Sequence, residues 1–171
     1  MKIIKYLFAL LLIVSLASCN SDDDSDTPYL LTSENFAGIY NFTFLFANNE
    51  TTIEIGGVPQ TIPSTSEGSV FEVEAIFNQN GTFSIVGQFL LTTTITGSDP
   101  DEDIILLDEN GTFQLNDSTK TIIISGAQEL LNGTFNVTLF TENEIRMTKE
   151  ETIVDGNITT DLVIELRFVK N

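Results

Sequence analysis

Ser69-Val70-Phe71-Glu72-Val73-Glu74-Ala75-Ile76-Phe77 runs through Asn78-Gln79-Asn80-Gly81 into Thr82-Phe83-Ser84-Ile85-Val86-Gly87-Gln88-Phe89-Leu90-Leu91. In the first segment Phe71, Val73, Ala75 and Phe77 alternate with Glu72 and Glu74. That period of two belongs to a half-buried strand. In the second, Phe83, Ile85, Phe89, Leu91 and Ile95 hold one phase as far as Thr96. Asn80-Gly81 supplies the two positive-φ positions that a type I′ turn needs, so the stretch reads as an antiparallel hairpin. Gly87 falls in the inward phase, and a glycine inside a long strand marks a bend or bulge, as at a barrel corner.

The same grammar extends both ways. Upstream, Phe36, Tyr40, Phe42, Phe44 and Phe46 are expected to share one strand face, with Asn41 and Thr43 on the other. Asn48-Asn49 reads as a turn, Thr51 to Ile55 as a short strand, and Gly56 to Gly68 as a loop or weak hairpin. Residues 29–35 have room for one helical turn. Downstream, Ser98 to Asp103 is an acidic loop. Strands are expected over 104–108, 111–116 and 120–125, with Asn110-Gly111 and Asn116-Asp117-Ser118 as turns. A brief helical turn fits 126–132. Phe135, Val137 and Leu139 alternate in the next strand, and Glu144 to Val154 is another. Asp155-Gly156 turns into the last, where Leu162, Ile164, Leu166 and Phe168 face inward. Asn-Gly-Thr-Phe occurs at 80–83, 110–113 and 132–135, a reused turn with Phe as the first inward anchor. The expectation is all-β, about 8–10 antiparallel strands with at most short helical turns.

Composition narrows the chemistry. The 171 residues include 25 acidic and 7 basic side chains, 13 Phe, one Cys, and neither His nor Trp. Without His, a Ser-His-Asp or Cys-His catalyst is impossible and the commonest metal ligand is absent. Such acidity disfavours nucleic acid as a partner.

The N-terminus has its own pattern. Lys2 and Lys5 precede an apolar run from Tyr6 to Leu16, then Ala17-Ser18-Cys19. The run is shorter than the about 20 residues a membrane span needs, and the order is that of a secretory signal. Leu16-Ala17-Ser18-Cys19 resembles a lipobox, which implies that residues 1–18 are removed and that Cys19 is acylated, palmitate included. No cofactor is implied. Without the leader the chain has five basic residues against 25 acidic ones, a formal charge of −20. Residues 19–29 read as the lipidated Cys and an acidic, disordered tether. Asp22, Asp23 and Asp24 resemble the export signal of surface lipoproteins of Bacteroidetes type, which implies an outer-membrane, lipid-anchored protein facing the cell exterior.

The domain over 30–171 resembles the lipocalin-like domains of small bacterial lipoproteins. Phe36-Ala37-Gly38-Ile39-Tyr40 is similar to the Gly-x-Trp that opens the first lipocalin strand, with Tyr40 in the place of Trp. Phe77 to Phe83 resembles a turn those domains favour, and Phe135 to Phe168 their closing strands. The resemblance implies an up-and-down β-barrel without enzymatic activity. The aromatic set Tyr40, Phe42, Phe44, Phe71, Phe83, Phe89, Phe135 and Phe168 is the candidate lining of a ligand cavity. Those rings could equally fill the interior. Ala75 and Gly87 in the inward phase leave room, and the inward set is expected to carry no charge.

Two functions remain open: holding a small hydrophobic ligand or a glycan, or meeting partner proteins through the loops of a filled barrel. Asp99, Asp101 and Asp103 have the 1, 3, 5 spacing of a calcium loop, but Ile104 stands where its glycine should be. A solvated acidic loop is the favoured reading. Glu72 and Glu74 are about 6.6 Å apart at Cα by strand rise, a spacing open to glycoside chemistry. Two exposed charges on an outer face is the plainer account. Asn80, Asn110 and Asn132 lie in Asn-x-Thr sequons but read as turn residues. Asp117-Ser118-Thr119 resembles an O-glycosylation motif of surface proteins from such bacteria.

Overall fold

Eight antiparallel strands close into a ring in simple sequence order, each bonded to the next and β8 bonded back to β1. The computed structural model describes residues 29–128 and 130–171. Cys19, Asp22, Asp23 and Asp24 therefore lie outside the described residues. The strands are β1 (Gly38–Ile55), β2 (Val58–Phe77), β3 (Thr82–Ile95), β4 (Asp101–Asn116), β5 (Thr121–Ser125), β6 (Gly133–Phe140), β7 (Glu144–Asp155) and β8 (Ile158–Lys170). Closure gives one largely apolar interior, with alternate side chains of each strand directed in and out. The ring has its own contiguous core, so residues 29–171 form a unit expected to fold by itself.

One end of the ring is plugged. A single helical turn, α1 (Ser33–Phe36), is capped by Thr32, whose side chain accepts from the Asn35 amide. It drives Phe36 into the interior with no exposed surface. The Phe36 ring lies 4.8 Å from that of Phe77 and 5.1 Å from that of Phe113. The segment is pinned by the Leu31 amide, which donates to Asp117 Oδ1 at 2.8 Å. Tyr40 donates its hydroxyl to the Phe36 carbonyl at 2.9 Å. The turns at 78–81, 117–120 and 141–143 lie at this closed end, while the connections at 56–57, 96–100, 126–132 and 156–157 lie at the open one.

Eight strands fall within the expected number, but they are longer than the sequence suggested, because two expected turns and most of the expected loop over 56–68 are continuous strand. Asn48 and Asn49 sit in the middle of β1, paired with Thr65 and Ser64 on one side and Val163 and Leu162 on the other. Neighbours on both sides satisfy the backbone and override the local turn preference. Asn110-Gly111 lies inside β4, opposite Ser84 and Phe83. Its glycine serves packing: a Cβ there would meet the Ser125 carbonyl oxygen at 2.2 Å and the Phe83 ring at 2.8 Å. All three Asn-Gly-Thr-Phe copies bury their Phe, at 83, 113 and 135.

The alternation expected from Phe36 to Phe46 is broken. The register of β1 against β8 shifts between Phe42 and Phe44. This bulge moves the phase by one, so Leu45 and Ala47 are buried and Phe44 and Phe46 are not. Phe44 lies outside, with Arg167 Cζ 5.2 Å from its ring centre. A second bulge lies in β2 between Ser69 and Glu72, where Val70 has φ +49°. Gly87 faces it with φ +140°, as its inward position in a long strand suggested.

Candidate functional site

The interior divides into a filled body and an open mouth. In the body, Phe42 stacks on Phe168 at 4.9 Å and meets Phe71 at 5.1 Å, and Phe71 stacks on Phe89 at 5.5 Å. Below them Phe36, Tyr40, Phe77, Phe83 and Phe113 complete a continuous aromatic column. Phe135 is wholly buried beside it. Of the aromatic set proposed to line a cavity, all but Phe44 face inward, and all of these but Phe135 pack ring against ring in the column. Ala75 is fully buried, and the space beside Gly87 is taken by the Glu72 carbonyl and Val73 Cα. Neither position leaves a vacancy.

Above this column the ring opens into a depression of about 250 Å³. Its floor and walls are aliphatic: Leu45, Ala47, Leu91, Leu130, Leu162 and Ile164. Its polar lining is uncharged, from Asn49 and Ser66. Register explains the grouping. Ala47 lies opposite both Ser66 and Ile164, and Asn49 opposite Leu162. Residues paired across antiparallel strands share a face. Hydroxyl pairs ring the same face, Ser66 with Thr93 at 3.0 Å and Thr51 with Thr160 at 3.2 Å. The β1–β2 and β7–β8 hairpins rise past the mouth. Ile55 and Val58 pair at the tip of one, and Ile158, at the start of β8, lies opposite Ile53.

The expectation of an uncharged inward set is corrected here, because Glu109 and Lys149 both point in and are 6 % and 5 % exposed. Each holds one end of the 126–132 connection. Glu109 Oε2 accepts from the Gln128 amide at 3.0 Å, and Lys149 Nζ donates to the Asn132 carbonyl at 3.0 Å. Lys149 also pairs with Glu151 at 3.0 Å and lies 5.9 Å from the Phe135 ring centre. Burial of a charge requires such partners. The connection is thereby held across the mouth with Leu131 buried and Leu130 in the lining. Reading β4 as one strand would have put Glu109 in phase with Leu107 and Phe113; the supposed turn at Asn110 concealed it. Lys149 is in phase with Ile145 and Met147.

The other sequence candidates lie apart from the mouth lining. Glu72 and Glu74 face outward beside a larger, open depression of about 620 Å³ with Asn41 and Thr43, where the β1–β2 ladder parts around the bulge. Glu72 accepts from Gln88 Nε2 at 3.0 Å. Asp101 and Asp103 belong to β4 and Asp99 to the turn before it. Among the described residues no three His, Cys, Asp or Glu side chains group as a metal site. Asp117 is paired with Lys120 and Leu31, which hold its carboxyl below the usual range, and Ser118 donates to Asn116 Oδ1 at 2.7 Å. No family model, no curated protein and no solved structure matches the chain.

Proposed function

We propose that this is a lipid-anchored binding protein that holds a small hydrophobic molecule at the open mouth of a lipocalin-like barrel. The observation that carries the reading is the aliphatic depression above a filled aromatic column. Its 250 Å³ is just under the roughly 300–1,000 Å³ of drug-sized ligand sites, so it suits a short chain or a single ring. A glycan is the poorer fit, because the lining offers no aromatic ring for a sugar face to stack on. The role is binding rather than catalysis, and no cofactor is invoked. On this reading Cys19 carries the acyl groups, including palmitate, in the outer membrane. Asp22, Asp23 and Asp24 direct the domain to the cell exterior. Tyr29 packs on Phe140 at 4.9 Å, so the tether meets the domain at its closed end, and the mouth faces away from that attachment.

The test is titration of residues 29–171 with the uncharged dye N-phenyl-1-naphthylamine. Saturable fluorescence enhancement, lost on Ala47→Phe, is the expected result. No enhancement would end the reading. A second reading, a structural protein that meets partners through its surface, is favoured by one observation: Val70, Val86, Ile104 and Leu106 are more than half exposed on the outer wall. On that reading Ala47→Phe changes nothing.

A further inference from the structure

We propose that the mouth selects by head-group charge: its ligand is an uncharged, hydroxyl-bearing amphiphile, and the anion of a fatty acid is refused. This rests on the mouth being the binding site. Register places Asp101 opposite Thr93 and Asp103 opposite Leu91, so both stand on the inner face at the rim of β4. Glu151 on β7 is the register partner of the lining residue Leu162 on the adjacent β8, and Glu109 lies deeper on β4. Among the described residues, the cations other than Lys149 are elsewhere. Lys120 and Lys170 flank closed-end connections, and Arg146 and Arg167 pair with each other on β7 and β8 near that end. Lys149 is the cation near the mouth, and its ammonium is already engaged by Glu151 and the Asn132 carbonyl.

An entering carboxylate would lose water and gain no new cation, while facing Asp101 and Asp103 at the rim and Glu109 below; Glu151 is offset by its ion pair with Lys149. Like charges at such range raise the cost of ionisation, and more so where water is sparse. The rim carboxylates do not line the depression itself. Its own polar lining, Asn49 and Ser66, is uncharged. A hydroxyl head seated at the edge of the aliphatic floor meets that amide and the Ser66–Thr93 hydroxyl pair. Such groups donate and accept equally well. The arrangement therefore rewards a neutral head and penalises an anionic one over a distance of roughly a Debye length, about 8–10 Å at moderate salt.

The experiment displaces N-phenyl-1-naphthylamine from residues 29–171 with 1-decanol or with decanoate at pH 7.5 and low salt. The tail is the same, so the head decides. Decanol is expected to bind at least about tenfold more tightly. The gap should shrink several-fold in half-molar sodium chloride and in the Asp101→Asn/Asp103→Asn variant, whose altered side chains are exposed. Circular dichroism checks that the variant is folded. Equal affinity for the two heads overturns the selectivity and leaves the mouth as the site. A gap that neither salt nor the variant moves overturns the assignment of selectivity to the rim. If the dye binds at the mouth and neither decyl compound displaces it, the proposed ligand class is wrong. If no probe binds at all, the reading of the mouth as a binding site fails with it.

Discussion

The carbonyl oxygen of Glu72 occupies the place where residue 87 would carry a Cβ: an ideal Cβ on Gly87 would lie 2.0 Å from it. This close approach is how β3 accommodates the bulge at Val70, and it shapes the wall beneath the mouth. Gly87→Ala should cost about 3–5 kcal/mol, because backbone must move and φ is +140°. Gly56→Ala, at φ +60° with nothing within 4 Å, should cost only about 1–2 kcal/mol. Urea unfolding of both variants checks the contrast, and equal losses would refute the packing argument.

Glu109 anchors the connection over the mouth. Glu109→Ala removes the acceptor of the Gln128 amide, a loss of about 1.5–3 kcal/mol for a hydrogen bond to a charged group. Amide exchange at Gln128 should accelerate, while exchange at Ile124 in the neighbouring strand stays slow. Unchanged exchange at Gln128 would mean that the connection is held by its leucines alone.

Burial, and secondarily the neighbouring Tyr29, pushes the Tyr40 hydroxyl up to about 12. The folded state thus keeps a proton that the unfolded chain releases near pH 10. Stability is unaffected below about pH 10 and falls as pH rises from there towards 12, because only the unfolded chain is then deprotonated. Melting temperatures across that window should fall less steeply for Tyr40→Phe. At neutral pH that variant should lose about 1 kcal/mol with the bond to Phe36.

Ala75 is fully buried under the aromatic column. Ala75→Phe should destabilise by about 1–3 kcal/mol or more through overpacking, and should leave dye binding by the folded fraction intact. If Ala75→Phe removes binding while stability is unchanged, the ligand enters the body of the ring rather than its mouth.

The period-two stretches made the fold class legible. The hairpin around Asn80-Gly81, the inward Phe of each Asn-Gly-Thr-Phe and the bend at Gly87 could be read from residue order. The turn itself is not the expected type I′: of Asn80 and Gly81 only Gly81 has positive φ, at +80°. The connection is a four-residue turn over 78–81 in which the Gly81 amide donates to the Asn78 carbonyl. Strand lengths could not, because Asn48-Asn49 and Asn110-Gly111 have turn chemistry that strand pairing overrules, on both sides of Asn48-Asn49 and against β3 for Asn110-Gly111. The side-chain phase past Phe42 was hidden for a similar reason. A bulge depends on how β1 lies against β8, and nothing local at Thr43 announces it. The mouth was the least visible feature. Its lining comes from β1, β2, β3, β8 and the 126–132 connection, and only closure of the ring brings these together. The aromatic residues that stand out in the sequence are the filling, and the aliphatic ones that attract no notice form the depression.

The most direct test is methyl NMR of residues 29–171 during titration with 1-decanol. Binding at the mouth predicts saturable shifts at Ala47, Leu91, Leu130, Leu162 and Ile164, with Ile122 and Ile145 in the filled body unmoved. Shifts confined to Val70, Val86, Ile104 and Leu106 on the outer wall, or no saturable shift anywhere, would contradict it.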